Sequence, residues 1–293
     1  MTAPSSDPQG TVDRYFDVSA GYWRAIYGRQ ELQGLVYRRR LETVAAWAVE
    51  FGLAAGAKAL DAGCGAGLMS VELARRGFSV IGTDSSPEMV QTAARLAAEQ
   101  GLAGRVTIRE ADVHRLPFGD GEFALIVALG LLPWLHDPVK AVAEFARVLA
   151  PGGGIIVTAD NRRRLNRLVE PRENPLLRPL RPVKRMLSRQ SSVQGDSAPS
   201  YRHLPAEVDE MLAGAGIAVA RRTTVGYGPF TVMDRSLLPD SVGTGLHERL
   251  ERYAGGHPRL RGSGWHYVAA GRKGAGRDSA DGESSGGSRD HAG

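Results

Sequence analysis

Ala59-Leu60-Asp61-Ala62-Gly63-Cys64-Gly65-Ala66-Gly67 joins a short apolar run to three alternating glycines through an acid. Beyond them Leu68, Met69, Val71, Leu73 and Ala74 recur at helical spacing until Gly77, a left-handed stop. The stretch reads as strand, tight turn and helix. Glycines belong in such a turn when a ligand's polar body approaches the backbone too closely for any Cβ. The helix N-terminus that follows offers unpaired N–H groups. By itself the pattern suits a plain glycine turn or a dinucleotide site equally well.

The chain downstream separates these readings. Ser79-Val80-Ile81-Gly82-Thr83-Asp84 is a second strand that also ends in an acid. Lying about twenty residues past the glycines, that carboxylate can accept hydrogen bonds from two ribose hydroxyls in the crevice of a doubly wound sheet. A third strand leads to Asp112-Val113 and a fourth runs from Phe123 to Leu129. Each strand therefore carries a polar or glycine feature at its carboxyl end, where open α/β sheets bind ligands. Ser85-Ser86-Pro87-Glu88 signals the start of the next helix, and Gly101 its end. Asp137-Pro138 opens another, which Pro151-Gly152-Gly153-Gly154 should stop before a fifth strand, Ile155 to Ala159.

Four stretches taken in order resemble the class I S-adenosylmethionine-dependent methyltransferases. They are Leu60 to Gly67, Gly82 to Met89, Ala111-Asp112-Val113 with Leu116-Pro117-Phe118, and Arg147 to Gly153. The likeness is to the group that contains the ubiquinone and menaquinone methyltransferases, tight over residues 40–160 and looser over 200–272. A dehydrogenase fingerprint would place its third glycine at position 68, which is Leu68. The resemblance implies an α/β fold, a Rossmann-like doubly wound seven-stranded sheet with an antiparallel terminal hairpin. It also implies S-adenosylmethionine as cofactor. Gly63, Gly65 and Gly67 would wrap its methionine portion and ribose, with Asp61 near the amino group, although Asp61 could equally cap the adjoining turn. Asp84, with Ser85 beside it, would hold the ribose. Asp112 would accept from the adenine amino group, the Val113 N–H would meet the ring, and Leu129-Gly130 would lie beside the sulfonium.

The 293 residues can bury a sizeable core, and 42% hydrophobic with 24% charged residues describes an ordinary globular chain. A single cysteine, Cys64, excludes an internal disulfide and reads as packing inside the glycine turn. There is neither an apolar run long enough to span a membrane nor a signal-peptide pattern, so a cytoplasmic protein is expected. The net charge of +5 belongs to one segment. Residues 162–189 hold ten Arg or Lys against two Glu, a local +8, which leaves the rest at −3. Leu176, Leu177, Leu180, Val183, Met186 and Leu187 alternate with those cations, as in a segment that lies at an anionic membrane surface or covers a pocket. The layout expected is a disordered lead at 1–10, a helical lid at 11–52 and the cofactor-binding core at 53–160. A basic Pro/Arg-rich insertion at 161–200, the C-terminal part of the sheet at 201–272 and a disordered tail at 273–293 complete it.

Catalytic residues are harder to read, because a methyl donor with its own leaving group asks the protein mainly to position the reactants. His136 is the candidate base by residue type and place, with His114 and His203 as others. Related quinone methyltransferases often carry Glu-His where this chain has Pro133-Trp134, which weakens both a histidine base and an acidic metal site. No cluster has metal-ligand spacing, so no metal is expected. Residues 11–29 concentrate five of the nineteen aromatics. Of these, Tyr15, Tyr22 and Trp23 are candidates to cover substrate, together with Trp134, and the alternative is a helix simply pinned on the core. Its pattern also faintly resembles the start of magnesium-protoporphyrin O-methyltransferases. Leu129-Gly130-Leu131-Leu132-Pro133-Trp134 lacks the amide acceptor of enzymes that methylate nucleic-acid amines. The expected substrate is a fairly hydrophobic small molecule, with O-methylation favoured over an RNA substrate or an S-adenosylmethionine-binding scaffold.

Overall fold

The computed structural model describes residues 8–165, 200–228, 231–232, 235–236 and 238–275. Most of the basic insertion, at 166–199, lies outside the described residues, as do most of the lead and the tail. Helices α1 (Pro8–Ile26) and α2 (Leu32–Glu50) come first. Pro8 to Gly10 therefore belong to α1 rather than to the disordered lead expected there. Then follow β1 (Lys58–Ala62), α3 (Leu68–Arg75), β2 (Ser79–Asp84), α4 (Pro87–Glu99) and β3 (Val106–Glu110). After β4 (Phe123–Ala128) a short 3-10 turn, Leu132–Trp134, leads to α5 (Pro138–Val148) and β5 (Leu149–Asp160). The C-terminal part comprises α6 (Pro205–Gly214), β6 (Ile217–Val225), a small ribbon of β7 (Thr231–Val232) and β8 (Arg235–Ser236), then α7 (Asp240–Gly256), α8 (Pro258–Arg261) and β9 (His266–Lys273).

Seven strands form one sheet in the order β3-β2-β1-β4-β5-β9-β6. The first five run parallel, and β9 lies antiparallel to both β5 and β6. This is the Rossmann-like sheet with an antiparallel terminal pair that the sequence patterns predict. Side chains alternate across it. Leu60, Ala62, Ile126, Ala128, Ile155 and Val157 pack with Phe145 of α5 and Leu212 of α6. Ala59, Leu125, Val127 and Ile156 pack with Val44 and Ala48 of α2 and Leu73 of α3. Both faces are covered, which is why the parallel strands read as continuous apolar runs.

One expectation shifts. The Pro-Gly-Gly-Gly stretch does not precede β5 but lies within it. Pairing with β4 jumps from Phe123 opposite Leu149 to Leu125 opposite Gly154, a bulge that lets the strand start early. A Cβ on Gly154 would stand 2.7 Å from the Phe51 ring, so that glycine admits the aromatic instead of stopping the chain.

The glycine turn after β1 sets the height of α3. Gly67 begins that helix at φ 83°, and a Cβ there would lie 2.8 Å from the Cβ of Ala93 on α4. Its freedom thus serves close approach of two helices. Gly67→Ala should destabilise the fold by about 2–3 kcal/mol, a left-handed penalty plus overpacking. Urea unfolding checks this, and a loss below about 0.5 kcal/mol would show that α3 and α4 separate freely.

Candidate functional site

The order of strands reverses between β1 and β4, and a cavity opens beyond their carboxyl ends, where the two halves of the sheet diverge. It encloses about 940 Å³ of empty space, part of it open to solvent.

The β1–β3 side of the wall is polar. Asp61, on the same face of β1 as Ala59, turns towards α3, where the Ser70 hydroxyl donates to its Oδ2 at 2.6 Å. Its Oδ1 is buried and without a partner. Burial, eased by Ser70 but reinforced by the Asp84 charge, pushes the Asp61 pKa up to about 7. Asp84 ends β2, and its Oδ2 accepts the Gly65 N–H at 2.8 Å while Oδ1 accepts the Ser86 N–H at 3.0 Å. Burial raises its pKa to about 6 against those two bonds. Ser86 also caps α4, accepting the Met89 N–H at 3.1 Å. Gly63, Cys64, Gly65, Ser85, Val113 and Leu129 line the same cavity. Gly67 does not, consistent with its packing role. A Cβ on Gly63 would stand 2.5 Å from Cδ1 of Leu131, so the glycine admits that leucine to the cavity. The Cys64 thiol is buried and raised well above its ordinary value by that burial and by the two aspartates, which leaves it protonated and inert.

Asp112 lies beyond β3, its side chain 56% exposed. Burial raises its pKa, but the His114 N–H at 2.9 Å and the His114 ring at 2.7 Å together outweigh it and hold the carboxyl below the usual range. His136 stacks on that ring, with centroids 4.1 Å apart. It is itself exposed, meets Gln9 at 3.1 Å and forms no part of the cavity wall. The structure thus does not bring the candidate base to the cavity. The exposed turn after Leu135 carries it outward.

The opposite wall is aromatic. Trp134, in the 3-10 turn after β4, stacks on Tyr15 with centroids 5.6 Å apart and meets Phe16 edge-on at 5.1 Å. Phe16 and Trp23 from α1, with Trp134, face the cavity. Tyr15 backs Trp134 instead of lining the cavity, and Tyr22 is 37% exposed beyond it. Helix α1 is fastened at the rim of β2, where Ser85 Oγ donates to Asp13 at 2.8 Å and Ser86 Oγ to Asp17 at 2.5 Å.

Residues 60–157 match the family described as the methyltransferase domain. The central third of this chain is a methyltransferase domain. Over 108 residues it is 40% identical to a ubiquinone biosynthesis O-methyltransferase of Caulobacter sp. (strain K31), covering 36% of this chain and 42% of that relative. Ajmaline N-methyltransferase of Rauvolfia serpentina is 34% identical over 123 residues, 41% of this chain and 42% of the relative. The chain thus matches less than half the length of these curated relatives. In fold it is similar to the crystal structure of magnesium protoporphyrin IX methyltransferase from Synechocystis PCC 6803, with a TM-score of 0.61 at 20% identity, over 93% of this chain and all of that one.

Among the cavity residues, Arg40 escaped the sequence reading, whereas Phe16 and Tyr27 belong to the aromatic-rich segment 11–29 that it marked as a lid. Arg40 gave no signal, since within the run Arg38-Arg39-Arg40 it resembles a solvated helix face. Yet it is 5% exposed. Among the described residues no group of three His, Cys, Asp or Glu could hold a metal ion, and no helix is long and apolar enough to cross a membrane.

The two raised aspartates have a consequence for stability. Each binds its proton more tightly folded than unfolded, so the empty protein should lose stability as pH rises from about 4 to about 7. Asp61→Asn should flatten this dependence and stabilise the empty protein at pH 8 by roughly 2–4 kcal/mol relative to wild type. Thermal melts at pH 5 and pH 8 check it, and equal pH slopes for both proteins would refute the buried-acid account.

Proposed function

We propose that this chain is an S-adenosylmethionine-dependent methyltransferase that acts on a fairly hydrophobic small molecule, with oxygen the favoured acceptor atom. The observation that carries the reading is the division of one cavity into a polar wall of Asp61, Asp84 and Asp112 and an aromatic wall of Phe16, Trp23 and Trp134. The orphaned Oδ1 of Asp61 fits an ammonium group. Asp84 has used one acceptor site on each oxygen, and a carboxylate offers about four. It can therefore still receive two ribose hydroxyls. Asp112 has Oδ1 engaged by His114, which leaves Oδ2 for an adenine amino group. Ser85 and Val113 complete the nucleoside side, and Leu129 borders the methyl-transfer point.

Bound in this way, the cofactor supplies a methyl group on a sulfonium that departs as a neutral thioether. The chain's own task is to align the acceptor and exclude water. The Tyr15–Trp134 stack and the two serine–aspartate bonds hold α1 over the aromatic wall for that purpose. No histidine lines the cavity among the described residues. An acceptor oxygen that ionises readily, a phenol or an acid, therefore suits the site better than an aliphatic alcohol. The relative named as an O-methyltransferase supports oxygen. The absence of an amide acceptor in the Leu129–Trp134 run argues against nucleic-acid amines.

Transfer of radiolabelled methyl groups into an extract of small aromatic or lipid molecules, with RNA in parallel, tests the reading, and label in RNA alone would overturn it. Asp84→Ala should weaken S-adenosylhomocysteine binding by about 2–3 kcal/mol in calorimetry; unchanged affinity would remove Asp84 from the cofactor site. Deleting residues 1–29 should leave the sheet folded and lower turnover more than melting temperature. A truncated protein that unfolds would make α1 a structural support.

A further inference from the structure

Asp112 is held differently from the other acids of the polar wall. Asp61 is buried, and Asp84 accepts N–H groups from two turns. More than half of the Asp112 side chain is exposed, and a carboxylate in that position would turn freely unless a neighbour fixed it. His114 fixes it twice on one oxygen. Its backbone N–H donates to Oδ1 at 2.9 Å, and its ring Nδ1 lies 2.7 Å from the same atom. An ionised carboxylate only accepts, so the proton between ring and acid belongs to Nδ1.

The histidine holds this place at a cost. Its side chain is 2% exposed, and His136 stacks on it with centroids 4.1 Å apart. His136 in turn meets Gln9 of α1, which lines the cavity. The other ring nitrogen of His114, Nε2, is buried without a partner. Whether that atom carries a lone pair or a proton, it loses water on folding and gains no bond in exchange. An aliphatic side chain would fill the same space without the loss. What the histidine adds is the Nδ1–H on Asp112. With two donors on Oδ1, the free acceptor capacity of this cavity residue lies with Oδ2. A fixed carboxylate oxygen attracts an amino group and repels a carbonyl, and it discriminates better than one that can swing aside.

We propose that His114 is the positioning residue of the nucleobase subsite. Through its Nδ1–H it orients Asp112 and so sets a preference for a 6-aminopurine over a 6-oxopurine. The inference rests on the reading of this cavity as an S-adenosylmethionine site and adds to it a residue that does not itself line the cavity.

Titration calorimetry on the full chain tests this, with thermal melts as a folding check. The probes are S-adenosylhomocysteine and S-inosylhomocysteine, whose purine carries a 6-oxo group in place of the amino group. Wild type should prefer the adenosyl compound at least about tenfold. His114→Leu should weaken that compound about tenfold without weakening the inosyl compound. His114→Asn should restore most of the preference, because its amide nitrogen takes the place of Nδ1. On an Asp112→Ala background His114→Leu should change neither affinity, as a residue acting through Asp112 requires. Should His114→Leu fail to fold, His114→Met is read with the same probes and the same expectation. Equal losses for both compounds, or a loss that persists without Asp112, would make His114 a structural support and overturn the proposal. Unchanged affinities in His114→Leu, or a wild type that binds the two compounds alike, overturn it as well. A wild type that binds neither compound overturns the cofactor reading, and the proposal with it.

Discussion

The Asp84 carboxylate fastens two turns together. By accepting the N–H groups of Gly65 and Ser86 it locks the glycine turn after β1 to the start of α4 after β2. Much of the site is built on that clamp. Gly63 and Gly65 keep their backbone at the cavity floor, and Ser86 can cap α4. Ser85 and Ser86 then turn their hydroxyls to Asp13 and Asp17, which moors α1. One buried acid thereby connects the sheet, the turn and the helix that covers them. It is buried at the expense of a raised pKa, the usual mark of a group retained for binding.

Three of the buried side-chain atoms without a partner belong to residues that line the cavity, and they are of opposite character. Asp61 Oδ1 on one side, with Arg40 Nε and Trp23 Nε1 on the other, are buried without partners. The clusters that pack the two faces of the sheet are apolar. Orphaned polar atoms in a folded protein call for an explanation. These three share one cavity, where a ligand bearing complementary groups would supply it. The aromatic wall completes the division by offering surface that water solvates poorly.

The expected and observed strands agree closely for β1, β2 and β4 because interior parallel strands buried on both faces leave apolar runs that lead to a glycine or an acid. Local chemistry was equally legible at Ser86-Pro87 and at Asp137, whose side chain accepts the Lys140 N–H at 3.0 Å. Agreement fails where a residue's meaning depends on a distant neighbour. Gly154 read as a helix stop until the Phe51 ring appeared above it. His136 seemed placed for catalysis from its position after β4, but one exposed turn directs it away from the cavity.

The amino-acid order alone determined most of the sheet, the acids that end its strands and the match of residues 60–157 to the methyltransferase domain, since all are written in contiguous stretches. Tertiary structure alone decided which side chains assemble the opposite wall of the cavity. Phe16, Trp23, Tyr27 and Arg40 lie on α1, in the link that follows it and on α2, outside the 60–157 stretch, and reach the cavity that Trp134 lines only when those elements dock over the strand ends. No spacing rule can announce such a meeting. It depends on long-range packing, which turns an arginine from an apparently solvated run into a buried charge facing the cavity.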